Sequence, residues 1–356
     1  MNVIVKHIVL YNAVVMKAKP LTKGEKMLSP KDNYLKLLGG ELPDYVPSRF
    51  EPYSEMIWLD YYFKPTFVTQ GFAFSPWGVR YVGSMELGGG GIPEPGFIIL
   101  HDIRKWRDVI KNPSVKGIDF ETHYKKSVEH VDRSKKVVTI NGGEYFQTLV
   151  SFMGFEGALI AMSEEPDEVY ELLDYVSQYS LEIARQRIRY TQAEVYMVSD
   201  DCAAAKSPFF SPDMYKRLIK PFHKKHADLA LEHGLFVSKH DCGKSEVFIP
   251  DWLEMGVRSW NPAQTMNDLA TISAKYKGTL VIEGGWDSLS PVCKPDAPDE
   301  ELIAALDNYV NTLAPGGSFT FSVMPLMGDA NDERIERKNK LIEDYFFSHV
   351  RDYYNK

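Results

Sequence analysis

Two stretches separated by one helical segment decide the fold: Val195-Tyr-Met-Val-Ser-Asp-Asp-Cys202 and Leu235-Phe-Val-Ser-Lys-His-Asp-Cys-Gly243. Each opens with a short apolar run and closes on polar residues, the pattern of a buried strand that delivers functional groups at its end. Between them Ser211-Pro-Asp213 caps a helix expected to run to about His233. Strand, helix and strand at this spacing imply a parallel pair joined by a right-handed crossover. The unit recurs on both sides. Val137-Val-Thr-Ile140 reads as a strand, and Asp167 to Tyr190, started by Pro166 and carrying Val169, Leu172, Leu173 and Val176, as a long helix. Ser259-Trp-Asn261, Leu280-Val-Ile-Glu283 and Ser318-Phe-Thr-Phe321 are three further strand ends, each followed by a helical stretch. No Gly-x-Gly-x-x-Gly follows the first clear strand, so a dinucleotide fold yields to an α/β (β/α)8 TIM barrel. Residues 1–27 read as an N-terminal extension and 28–356 as a single barrel domain.

Composition bounds what such a barrel does. With 356 residues, 44% hydrophobic and 25% charged, the chain is that of an ordinary globular protein. A net charge of −8 argues against nucleic-acid binding, which needs a basic surface. Three cysteines, Cys202, Cys242 and Cys293, are too few and too scattered for a disulfide framework, which favours a reducing, cytoplasmic setting. Met1 to Met16 is rich in Val and Ile but holds Lys6, His7 and Asn12; it falls short of a membrane span and reads as an ordered extension or an edge strand. Gly88-Gly-Gly-Gly91 lacks a strand-to-helix context and reads as a loop or lid, and the aromatic-dense segment from Trp58 to Trp77 as another candidate lid.

In a barrel the chemistry gathers at the C-terminal ends of the strands. The polar residues do so here: Asp200, Asp201 and Cys202, then His240 and Cys242, Asn261, Glu283 and Asp287. His240 and Cys242 stand two apart, and alternate residues of a strand share a face, so imidazole and thiolate converge on one ion. Asp200, Asp201 and His240 are the candidate catalytic acids and bases, the paired carboxylates raising one another's proton affinity by mutual repulsion. Trp260 and Trp286 fall just past strand ends, placed to wall a flat substrate beside Asn261 and Glu283.

With these residues in view, the chain resembles the uroporphyrinogen decarboxylase superfamily. The resemblance is carried by Leu28-Ser-Pro-Lys-Asp-Asn-Tyr-Leu35 with Pro43-Asp-Tyr-Val-Pro47, by Ser163-Glu-Glu-Pro-Asp167, by Asp200-Asp201 with Phe210-Ser-Pro212, and by the His-x-Cys-Gly turn. It covers about residues 28 to 350. The segments Trp77-Gly-Val79 and Asp102-Ile-Arg-Lys-Trp106 look like the branch of corrinoid-dependent methyltransferases, including components of O-demethylases. The Arg-rich opening motif of the true decarboxylases has no equivalent here.

The resemblance implies a zinc ion held by His-x-Cys and a second cysteine near the last strand. His240 and Cys242 match, but Phe321-Ser-Val-Met-Pro325 contains no cysteine. Cys202 is the preferred replacement; Glu283 or one of Asp200 and Asp201 is the alternative, and Cys293 lies in a proline-bounded loop. The implied activity is transfer of a methyl group from a methoxylated, aromatic small molecule to the cobalt of a corrinoid carrier protein, with Lewis-acid help to the leaving oxygen. Transfer from methyl-corrinoid to a thiol or tetrahydrofolate, a decarboxylase, and a non-catalytic barrel are the alternatives. Partners are then the small substrate and the corrinoid protein, with a homodimer possible in this family and neither nucleic acid nor membrane involved.

Overall fold

The computed structural model describes residues 27–59, 71–84, 90–324, 326 and 332–355. In chain order the strands are β1 (Ser54–Ile57), β2 (Phe72–Phe74), β3 (Arg80–Ser84), β4 (Gly90–Pro93), β5 (Val137–Gly142), β6 (Val195–Ser199), β7 (Phe236–His240), β8 (Val257–Ala263), β9 (Val281–Gly284) and β10 (Phe319–Phe321). β1 and β5 to β10 form one curled sheet in the order β1-β5-β6-β7-β8-β9-β10, and every pair in it is parallel. β5 and β6 are buried at every position, as strands covered on both faces must be, which is why they read as continuous apolar runs.

The expected eight strands become seven among the described residues, so the barrel is not completed by ladder pairing. Pro47-Ser48 lies along β10 in place of a further strand: the Phe321 N–H donates to the Pro47 carbonyl at 2.8 Å, and Ser48 bridges Phe321 in parallel. Pro47 and Pro52 have no N–H, which prevents this bridge from growing into a ladder. β2, β3 and β4 form a separate antiparallel sheet. Gly90 and Gly91, expected in a loop, begin β4, whereas Gly88 and Gly89 lie outside the described residues. Most of the expected lid (residues 60–70) and the expected N-terminal edge strand lie outside them too.

The helix Pro166–Thr191 carries proline in its first turn and buries Val169, Leu172, Leu173, Val176 and Ile183 along one face. The single helix expected after Ser211 is two, Pro212–Leu218 and Lys220–Glu232. Pro221 has no N–H for the Arg217 carbonyl, so the turn breaks at Ile219. At the opposite end of the sheet, the helix Pro30–Leu38 is capped by the Ser29 side chain. Its Tyr34, Leu37 and Leu38 pack on Val137, Val195 and Val281, the first residues of β5, β6 and β9, and cover the floor of the barrel.

Candidate metal centre

β6 and β7 lie side by side with Ser199 opposite His240, so the residues just beyond each strand end meet at the barrel mouth. Strand alternation sends His240 and Cys242 to the inner face and leaves Lys239 and Asp241 fully buried on the other. Asp201 joins the first two. Its Oδ1 lies 3.7 Å from His240 Nε2, Cys242 Sγ lies 3.8 Å from the same nitrogen, and the three ligand atoms fall within 4.8 Å of one another. Zinc bonded tetrahedrally to oxygen, nitrogen and sulfur at about 2.0–2.3 Å separates its ligands by about 3.3–3.6 Å. The two distances to His240 Nε2 exceed this by a few tenths of an ångström, and the third pair of ligand atoms lies within 4.8 Å. With side-chain exposures of 27% for His240 and 40% for Asp201, the cluster opens to solvent on one side.

The ring of His240 is oriented by its neighbour. Asn261, opposite it on β8, accepts at Oδ1 from His240 Nδ1–H at 3.1 Å, and the Asn261 amide donates to Ser238 Oγ at 3.1 Å. With the proton held on Nδ1, the Nε2 lone pair faces Asp201 and Cys242, the arrangement that metal-ligating histidines require. Burial lowers the His240 pKa, against the opposing pull of Asp201, so the ring is neutral near pH 7. Burial and then the nearby Asp201 carboxylate push the Cys242 thiol up to about 12, so a metal must displace its proton. The turn itself depends on Gly243, whose φ is +89° and where a Cβ would stand 2.4 Å from the Ala203 carbonyl oxygen. That close approach lets the Asp201 and Cys242 loops touch, and the Cys242 N–H donates to Asp201 Oδ1 at 2.9 Å.

The other expected site residues lie elsewhere or act indirectly. Cys202, the preferred third ligand, is fully buried, with its thiol directed at its neighbour's carbonyl, Asp200 O, at 3.7 Å; Asp201 occupies the place it was expected to fill. Asp200, expected at the chemistry, is buried and caps a helix. It accepts from the N–H groups of Tyr145, Phe146 and Gln147 at 2.8–3.0 Å and from His223 Nε2 at 3.1 Å. Trp260, expected to wall a substrate, lies in the core with its ring centroid 5.6 Å from that of Trp252. Trp286 stands 5.6 Å from Tyr309 and lines a cavity of about 330 Å³ to which Asp201, His240 and Cys242 do not contribute. Asn261 orients His240 in place of its expected contact with substrate.

Glu283 faces the barrel interior, half-buried, and accepts from the Tyr34 hydroxyl at 2.8 Å. Burial raises its pKa, while hydrogen bonds from Ser259, Tyr34 and Tyr53 pull the other way. Cys293 is buried against the Asp287 carbonyl at 3.6 Å. At the missing-cysteine position, Ser322 bonds Thr320 and Met324 is exposed. Sequence reasoning missed the orienting role of Asn261 and the reach of Tyr34 from the floor helix. The first was available from register, since an inner-face residue level with a ligand on the next strand is within reach of it.

A family model described as uroporphyrinogen decarboxylase (URO-D) matches residues 102–322. Among solved structures, a methyltransferase from Methanosarcina mazei superposes with a TM-score of 0.53 at 13% sequence identity, covering 89% of this chain and 99% of that one. At that identity the likeness shows the fold. No curated protein sequence matches the chain.

Proposed function

The chain belongs to the uroporphyrinogen decarboxylase family, and from that premise we propose that it is a methyltransferase taking a methyl group from a methoxylated aromatic molecule to a corrinoid carrier protein. The observation that supports this reading best is the convergence of Asp201, His240 and Cys242 at the open end of the barrel. Asp201, His240 and Cys242 would hold a zinc ion there, which would supply Lewis acidity to the leaving oxygen, while the carrier's cobalt would supply a nucleophile stronger than any side chain. Asp201 and Cys242 as anions balance the charge of a divalent cation, and neutral His240 completes the three ligands of an open catalytic site.

The rest of the inner face positions substrate. Glu283 lies two strands from His240, roughly 10 Å across the mouth at the usual strand spacing. Its carboxyl, with a raised pKa and anchored by Tyr34, suits a hydrogen bond to a second oxygen on the ring of the methyl donor. A carboxylate in the place of a second thiolate gives a harder ligand set, which favours an oxygen over a thiol as the group activated. That preference supports demethylation of an ether over methylation of a thiol.

The test begins with metal content. Protein purified without chelators is expected to hold near-stoichiometric zinc, which Asp201→Ala and Cys242→Ser lose and Cys202→Ser retains. Incubated with a reduced corrinoid carrier and a panel of methoxyphenols, the zinc-loaded protein is expected to release the free phenol. Zinc-loaded protein that transfers no methyl group across the panel refutes the assigned reaction, and metal-free native protein refutes the centre.

A further inference from the structure

Behind the metal centre, on the other face of the β6 and β7 ends, lies a second constellation that the proposed chemistry does not use. Lys239 and Asp241 are both fully buried, with Nζ 3.2 Å from Asp241 Oδ2. The Lys239 ammonium donates to the carbonyl oxygens of Asp200 at 2.9 Å and His240 at 2.6 Å, and sits 5.6 Å from the Trp252 ring centroid. Asp241 Oδ1 accepts from the Cys202 N–H at 3.1 Å and the Ser245 hydroxyl at 2.8 Å. The Trp260 indole N–H donates to the Asp241 carbonyl at 3.1 Å.

The partners of this pair are the immediate neighbours of the three candidate ligands. Asp200 and Cys202 bracket Asp201; Lys239 and Asp241 bracket His240; Asp241 precedes Cys242. A buried ion pair is a poor way to stabilise a fold, because desolvating two charges offsets most of their attraction, and apolar residues of similar volume do as well or better. What such a pair provides is direction: three of its four hydrogen bonds each fix one backbone group at one place, and the fourth holds the Ser245 hydroxyl.

We propose that Lys239 and Asp241 are positioning residues of the metal centre, setting the separation of Asp201 from His240 and Cys242 by clamping the β6 end to the β7 end. This rests on the reading of those three residues as metal ligands. The clamp works from behind: alternation points both side chains away from the mouth, so neither touches the ion. Lys239 holds the carbonyls of Asp200 and His240 on two adjacent strands with one ammonium, and Asp241 ties the Cys202 amide to the turn that carries Cys242. With the pair removed, each ligand keeps its chemistry but loses the common frame.

Replacing one partner alone strands a buried charge and risks misfolding, so the informative variant is the double Lys239→Met/Asp241→Asn. It keeps both volumes and leaves an Asn oxygen for the Cys202 amide and the Ser245 hydroxyl. The full chain is titrated with zinc against a chromophoric chelator, and with cobalt(II), whose visible absorption reports coordination geometry. The expected result is a folded protein with zinc affinity lowered about 10- to 100-fold, the range for groups that orient metal ligands, and with altered cobalt bands. A purely structural pair leaves the cobalt spectrum of the folded protein unchanged, and that outcome with native zinc affinity overturns the proposal. If the double variant does not fold, Ser245→Ala decides, since it removes the hydroxyl that joins Asp241 Oδ1 at 2.8 Å to the Cys242 carbonyl at 3.0 Å and removes no charge: a several-fold loss of zinc affinity supports the clamp and an unchanged value refutes it. Failure of the unmutated protein to bind either metal overturns the underlying centre itself, a result distinct from a variant that binds as the native protein does.

Discussion

Asp200 and Asp201 are adjacent and chemically identical, yet the structure gives them opposite tasks, which the same substitution at each separates. Asp200 Oδ2 accepts from Tyr145 N–H, Phe146 N–H and His223 Nε2, and Oδ1 from Gln147 N–H. In Asp200→Asn one oxygen becomes an NH2 group, so at least one backbone donor at the start of the helix Phe146–Met153 faces another donor, costing about 2 kcal/mol. The other three bonds weaken from charge-assisted to neutral, at about 1 kcal/mol each. The sum is about 5 kcal/mol. For a chain of this length, with a melting entropy of about 0.7 kcal/mol per kelvin, that lowers Tm by about 7 °C. Asp201→Asn is expected to leave Tm of chelator-treated protein within about a degree, because its oxygen still accepts from the Cys242 N–H, while abolishing zinc binding. Differential scanning calorimetry of both variants, with zinc titration, is the assay. An Asp200→Asn protein that melts like the native one but has lost its metal refutes the division of labour.

Asn261→Leu removes the acceptor for His240 Nδ1–H and is expected to lower zinc affinity about 10- to 100-fold, measured by chelator competition; undiminished affinity shows that His240 needs no such guide. Because the Cys242 thiol is pushed up to about 12, zinc must displace its proton, so apparent affinity is expected to rise about tenfold per pH unit between about pH 7 and 9; a flat profile removes Cys242 from the ligand set. His226, wedged between the Tyr196 hydroxyl at 2.7 Å and the Tyr145 hydroxyl at 2.9 Å, is held by burial at a pKa of about 3, below its unfolded value of 6.5. The unfolded chain therefore binds the extra proton, so the stability contributed by the neutral ring is complete above about pH 6.5 and declines as pH falls toward 3, by at most about 5 kcal/mol. His226→Gln is expected to move the acid transition, followed by circular dichroism, to lower pH; an unmoved or raised midpoint contradicts this.

The strands β5, β6, β9 and β10 were legible as short apolar runs, and β7 and β8 by their place between helical stretches. β1 was not, since Ser54-Glu-Met-Ile57 has no β-branched run and is only half-buried along its length. β2 was hidden by its length of three residues, and β3 and β4 by their glycines. In the site, the reading of His240 and Cys242 came from alternation, and the same rule carried one residue further separates the rest. Asp200 and Cys202 flank the inward Asp201, and Trp260 lies between Ser259 and Asn261, so all three turn to the packed side and become cap or core. What alternation cannot reveal is contact across the chain: Tyr34 reaching Glu283, or the Lys239 ammonium bridging two strand ends, depends on tertiary placement that no local pattern encodes.

If the reaction is the one proposed, the helix Pro30–Leu38 bears on its kinetics. With Tyr34, Leu37 and Leu38 it covers one end of the barrel, and Asp201, His240 and Cys242 stand at the other, where His240 and Asp201 reach solvent. The methyl donor would have to be seated before the carrier protein covered the rim, and its product would wait until the carrier left. Turnover would then follow a compulsory order of addition, in which a large excess of carrier slows the cycle by covering the mouth early.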